Sequence, residues 1–165
     1  MDLKRFWRHV VLSPVQAARA FPVSTMDAIE REIAAHEKLH RGEVCFVVEA
    51  ELTSAQLWAD LASRERAKEV FAQRGVWNTG ENNGVLIYVL LADHRVEVVA
   101  DRGIDARVEA GEWERICRLI ESHFRERRYE EGAAAGVSAV SLLLEQHFPA
   151  TGEGRNELPD RPTRI

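Results

Sequence analysis

The chain has 165 residues, 45% of them apolar, a length at which a single domain buries roughly 70% of its unfolded surface and folds without staples. Its 22 Lys and Arg stand against 27 Asp and Glu, for a net charge of −5. That balance, with no long basic run, speaks against a nucleic-acid partner. No stretch approaches the roughly 18 apolar residues of a membrane span.

From the N-terminus, Lys4, Arg5 and Arg8 precede Val10-Val11-Leu12. This apolar run is too short for a signal peptide, whose core needs roughly 7–15 residues, so residues 1–20 are expected to be an arm, and the protein cytoplasmic. Pro22 and Ser24-Thr25-Met26-Asp27 open a helix on which Ile29 and Ile33 recur, with Arg41-Gly42 as its stop. Val44–Val48 is short, apolar and β-branched, the pattern of a buried strand. Thr53-Ser54 begins a second helix carrying Leu57, Leu61, Val70 and Phe71, ended by Gly75.

Residues 78–84 are turn and acceptor chemistry throughout. Val85–Leu91 is unbroken apolar sequence, expected at the sheet centre because a strand apolar on both faces must be covered on both. Ala92–Arg95 connects it to Val96–Val99, an antiparallel hairpin. Trp113, Ile116, Cys117, Ile120 and Phe124 mark one amphipathic helix, and Val137, Val140, Leu144 and Phe148 another. Residues 150–165, with few apolar side chains, are expected to be a disordered tail. The sum is an α/β fold: a three-layer α/β/α sandwich with a mixed sheet of three to four strands covered by helices on both faces. Trp58, Trp77 and Trp113 are assigned to its core. Cys45 and Cys117 sit among apolar neighbours. Spacing leaves a disulfide between them open, but two isolated cysteines fit a reducing compartment better.

Two constellations could carry chemistry. His36-Glu37-Lys38-Leu39-His40 fits H-E-x-x-H, which on a continuing helix holds zinc, with Glu65 the third candidate ligand. The stop at Gly42 leaves that pair on a fraying last turn, so no zinc is expected. The second is a rim. Antiparallel pairing brings the loop with Asn82 and Asn83 beside Asp101, Arg102 and Asp105. Glu43 reaches the same rim if the first strand runs parallel to the central one. Oxygens gathered this way suit Ca2+ or Mg2+, with Asp101 and Asp105 as the metal ligands. No glycine-rich phosphate loop is present, so no nucleotide is expected, and no nucleophile elbow occurs.

Several segments together resemble the TPM-domain family. They are Phe21-Pro22, His40-Arg41-Gly42-Glu43, Asn82–Val89, Arg95–Ile104, Phe124 with Tyr129–Gly132, and His147-Phe148-Pro149. The likeness spans residues 20–149, the domain being set at 21–149, and is nearest to a short stand-alone bacterial branch. It implies a four-stranded sheet between helices, and His9–Leu12 is the one place to seek the fourth strand. It also implies acid-phosphatase activity and calcium binding, reported for plant members, receptor modulation for animal members, and membrane anchoring or secretion for many bacterial ones. This sequence departs from many relatives in carrying Asp101-Arg102 where they have a glycine. The leading expectation is a non-catalytic interaction or accessory domain with a protein partner and a divalent cation at the rim. A weak metal-assisted phosphatase, with Arg102 clamping phosphate, comes second, and zinc hydrolysis through His36, Glu37 and His40 third.

Overall fold

A computed structural model describes residues 3–11, 14–152 and 156–165. Two short helices, α1 (Leu3–Val11) and α2 (Pro14–Ala20), precede α3 (Val23–His36). Strand β1 (Glu43–Glu49) leads through α4 (Ser54–Trp58) and α5 (Ser63–Gln73) to β2 (Gly84–Leu90), which turns into β3 (Arg95–Ala100). The single turn α6 (Arg102–Asp105) is followed by α7 (Glu112–Arg125), α8 (Tyr129–His147) and β4 (Thr163–Arg164). The sheet order is β3-β2-β1-β4, with β1 parallel to β2 and β4, and β2 antiparallel to β3.

The all-apolar run does lie inside the sheet: every residue of β2 is buried. Alternation splits it between two cores. Val85, Ile87 and Val89 join Phe21, Ile29, Ile33, Ile120, Val140 and Leu144 under α3, α7 and α8. Leu86, Tyr88 and Leu90 join Leu57, Ala67 and Val70 under α4 and α5. Helices thus cover both faces, as the sequence predicts. Cys45 packs on the second core and Cys117 on the first, so the sheet separates the two thiols and both are free. Desolvation pushes them up to about 11 and about 12, which makes them unreactive.

Four expectations are corrected. The helix foreseen from Thr53 to Gly75 breaks at Asp60, whose φ is +53°. Thr53 caps only the first piece, in a capping box with Gln56. In that short piece Leu57 points inward and its neighbour Trp58 outward, 69% exposed. Trp77, beyond the Gly75 turn, is 55% exposed, and of the three core tryptophans only Trp113 is buried. His9 to Val11 belong to α1 rather than to a strand, and Leu12 lies outside the described residues.

The fourth strand instead comes from the tail expected to be disordered. Residues 163–164 pair with Val47 and Val48, and the Ile165 N–H donates to the Val48 carbonyl at 2.9 Å. Few apolar residues are needed there. The open edge of β1 offers unpaired backbone groups, and the segment satisfies them.

Candidate functional site

The loops converge as strand polarity requires. Glu43 faces Gly84 across the parallel ladder, and the Asp101 N–H donates to the Gly84 carbonyl at 2.8 Å. The Asn82 carbonyl accepts from Gly103 and Ile104, at 2.9 and 3.2 Å. Two glycines permit this closeness. A Cβ on Gly84 would stand 2.0 Å from the Val76 carbonyl oxygen, and one on Gly103 2.5 Å from those of Glu81 and Asn82.

The backbone converges; the side chains disperse. Glu43 is buried, and its two carboxylate oxygens accept the N–H groups of Glu157 and Leu158, at 2.9 and 3.1 Å. Asp105 is exposed and accepts from the Trp113 indole N–H at 2.9 Å. Asp101 caps α6 through Oδ1, which accepts from the Arg102 N–H at 2.7 Å, while Arg102 itself is exposed. Asn82 spends its carbonyl on the α6 turn and adopts φ +54°. Asn83 is fully buried: Nδ2 donates to the Arg41 carbonyl at 2.9 Å, and its N–H donates to Thr79 Oγ1 at 3.0 Å.

Among the described residues, three buried acceptors near this rim have no hydrogen-bond partner: Asn83 Oδ1, Asp101 Oδ2 and His40 Nε2. Because Asn83 Nδ2 is the donor to Arg41, the amide orientation is fixed and its oxygen is the free atom. His40 holds the Gly42 carbonyl at 3.0 Å through Nδ1, so the proton sits there and Nε2 has the lone pair. Burial keeps that imidazole neutral, down at about 4. A buried acceptor without a donor is costly, and functional sites are where such groups persist.

H-E-x-x-H does not act as one helical face. Residue 36 ends α3, and His40 lies beyond it in a bridge to Pro149. His36 Nε2 turns to Glu32 at 3.1 Å. Glu37, however, shares a cavity of about 470 Å³ with His40, Glu43, Asn156 and Asp160. Desolvation, with Glu43 and Asp160 adding repulsion, raises the Glu37 carboxyl to about 9, and desolvation also raises Glu43. The motif marks residues that are perturbed, but by burial beside other carboxylates. Asp160, from the tail, has no local signal at all. Among the described residues, no group of three or more His, Cys, Asp or Glu could hold a metal ion.

The raised Glu37 pKa has a testable sign. A carboxyl at about 9 when folded and 4.5 when unfolded stabilises the fold below pH 4.5, and that contribution is lost progressively as pH rises towards 9. Glu37→Gln, which mimics the protonated form, should leave the melting temperature unchanged at pH 4 and raise it at pH 8. An equal shift at both values would mean that Glu37 is ionised in the native state.

Known proteins supply the remaining comparison. A family model described as the TPM domain matches residues 15–142. The NMR structure of the BA42 protein from the psychrophilic bacterium Bizionia argentinensis is 26% identical, covering 87% of this chain and 94% of its own, with a TM-score of 0.75. The N-terminal domain of a P. gingivalis protein shares the fold at 24% identity, covering 76% of each chain, with a TM-score of 0.61. No curated protein matches. No helix among the described residues is long and apolar enough to cross a membrane. With the family match over residues 15–142 and the shared fold in agreement, the chain belongs to the TPM-domain family.

Proposed function

We propose that this TPM domain is a binding rather than a catalytic module, and that its rim takes a divalent cation through Asp101 and Asn83. The carrying observation is the pair of buried, partnerless oxygens, Asp101 Oδ2 and Asn83 Oδ1, on one sheet edge. Oxygens of this kind are ligands for Ca2+ or Mg2+. Asp105 stands one helical turn from Asp101, its N–H on the Asp101 carbonyl at 2.9 Å, and would complete the set by turning from the Trp113 indole. The engagement of Glu43 by two backbone N–H groups supports binding over catalysis, since that carboxylate is not free to act as a base. A protein partner would then meet an ion-stiffened rim.

Calcium or magnesium at 100 times its Kd should stabilise the fold by about 2.7 kcal/mol, raising the melting temperature by about 5–10 °C. Asp101→Asn with Asp105→Asn should abolish that shift, and Glu69→Gln on α5 should not. Unmoved melts and rim amide chemical shifts at millimolar cation would remove the ion from the proposal. Phosphate release from p-nitrophenyl phosphate, followed in the same titration, is expected to stay at background. Turnover that needs both cation and Asp101 would replace this reading by the metal-assisted phosphatase, with Arg102 as its phosphate clamp.

A further inference from the structure

Helix α1 is mounted with its polar side inward. Arg5 donates to Asp93 through Nε and Nη2, at 2.9 and 2.7 Å, and Nη2 also reaches the Leu61 carbonyl at 2.7 Å. His9, one turn on, is buried. Its Nδ1 accepts from the Leu52 N–H at 2.9 Å, which places the proton of the neutral ring on Nε2, 3.1 Å from Asp93 Oδ1. Burial alone would raise the Asp93 carboxyl, but the Arg5 and His9 hydrogen bonds outweigh it and hold it below its ordinary value.

The opposite face of α1 is apolar and bare. Leu3, Trp7, Val10 and Val11, at i, i+4, i+7 and i+8, are 61%, 58%, 54% and 65% exposed. Surface helices ordinarily dock by burying such a stripe. Here hydrogen bonds and ion pairs do the docking, with Phe6 packed at the second core, and the stripe faces out.

Charge says what could cover it. Residues 3–20 carry Lys4, Arg5, Arg8 and Arg19 and no Asp or Glu, in a chain of net charge −5. His94, next to the Asp93 that anchors α1, lines a cleft of about 870 Å³ together with Arg19, Arg95, Arg125 and Arg127, and Glu121 is the one acidic residue of that lining. The hairpin end of the molecule is therefore basic, whereas the cavity of Glu37, Glu43 and Asp160, by the start of β1, is acidic. Two such basic ends would repel each other, which disfavours a second copy as the occupant.

We propose that the hairpin end docks peripherally on an anionic lipid surface, α1 laying Leu3, Trp7, Val10 and Val11 at the headgroup–acyl boundary while Lys4, Arg8 and the arginines of the cleft meet lipid phosphates. Tryptophan with flanking cations is the composition that the interface favours. Each basic side chain near an anionic leaflet adds a salt-sensitive increment.

The test is co-sedimentation of the full chain with vesicles of phosphatidylcholine alone or mixed equally with phosphatidylglycerol. Binding is expected to the mixed vesicles only, to weaken with salt, and to survive millimolar inorganic phosphate. Trp7→Ser with Val11→Ser should weaken it about tenfold or more. Lys4→Gln with Arg8→Gln should do likewise. Both pairs are exposed, and Arg8 also donates to Asp93 Oδ1 at 3.4 Å, so thermal melts should confirm an intact fold, and the α5 surface variant Glu69→Gln should bind like wild type. No sedimentation, equal binding to neutral vesicles, competition by free phosphate, or stripe variants that bind like wild type would each overturn the proposal. Concentration-dependent dimers lost with Trp7→Ser and Val11→Ser would replace the membrane by a second copy.

Discussion

Replacing Arg66 by alanine is expected to destabilise the protein by about 3–5 kcal/mol, lowering the melting temperature by roughly 10 °C or more. Glu49, the last residue of β1, is buried, and Arg66 from α5 meets its carboxylate through Nε at 2.9 Å and Nη2 at 2.9 Å. Tyr88 in β2 donates to the same carboxylate at 2.5 Å, and its hydroxyl is raised by desolvation first and then by Glu49. Without Arg66 the carboxylate keeps one neutral donor and no cation. The cost is that of a stranded buried charge rather than the net worth of the pair. Glu49→Gln in the Arg66→Ala background should therefore restore part of the stability, since an amide is cheaper to bury than a carboxylate. If the double variant melts below the single one, the loss comes from the packing of the Arg66 stem instead.

Removing residues 156–165 should lower the melting temperature by roughly 5–10 °C. The Glu157 and Leu158 N–H groups satisfy both oxygens of buried Glu43, and Leu158 packs on the second core. Ile165 bonds to Val48 and Ala50, and Arg164 Nη1 donates to the Phe21 carbonyl at 3.2 Å. At about 1 kcal/mol per hydrogen bond, partly replaced by water, the loss is about 2–4 kcal/mol. Glu43→Gln, which retains one acceptor oxygen, should reproduce only part of it. A truncated chain that melts like the full one would show that these bonds contribute nothing in solution.

The disposition of the rim was legible before any coordinates. Apolar residues 85–91, a short connection and an alternating 96–99 dictate a central strand and a hairpin, and polarity then brings Asn82 and Asn83 to Asp101. What each side chain does at the rim was not legible. Whether Glu43 is free or capped depends on Glu157 and Leu158, which are 114 and 115 residues away. Spacing carries no trace of such a contact. H-E-x-x-H is weak for the reason that the stop at Gly42 already gives: the motif presumes a helix running through residue 40, and α3 ends at His36. The single helix foreseen from Thr53 failed at Asp60, where one residue at positive φ redirects the chain just after exposed Trp58, while Trp77 lies outside the helix, beyond the positive-φ turn at Gly75.

The sequence by itself determined the strands β1 to β3, the antiparallel pairing of β2 with β3, the long helices and the family, because period and burial are local properties repeated over many residues; that β1 runs parallel to β2 came from the structure. Only the tertiary structure decided the fourth strand, the acidic cavity and the outward stripe of α1. A strand of two residues, Thr163–Arg164, has no period to read and exists because the edge of β1 lacks partners. The amphipathic pattern of α1 shows that it has two faces. Which of them turns inward was settled by half-buried Asp93, whose claim on Arg5 and His9 outweighs the apolar pull of Leu3, Trp7, Val10 and Val11.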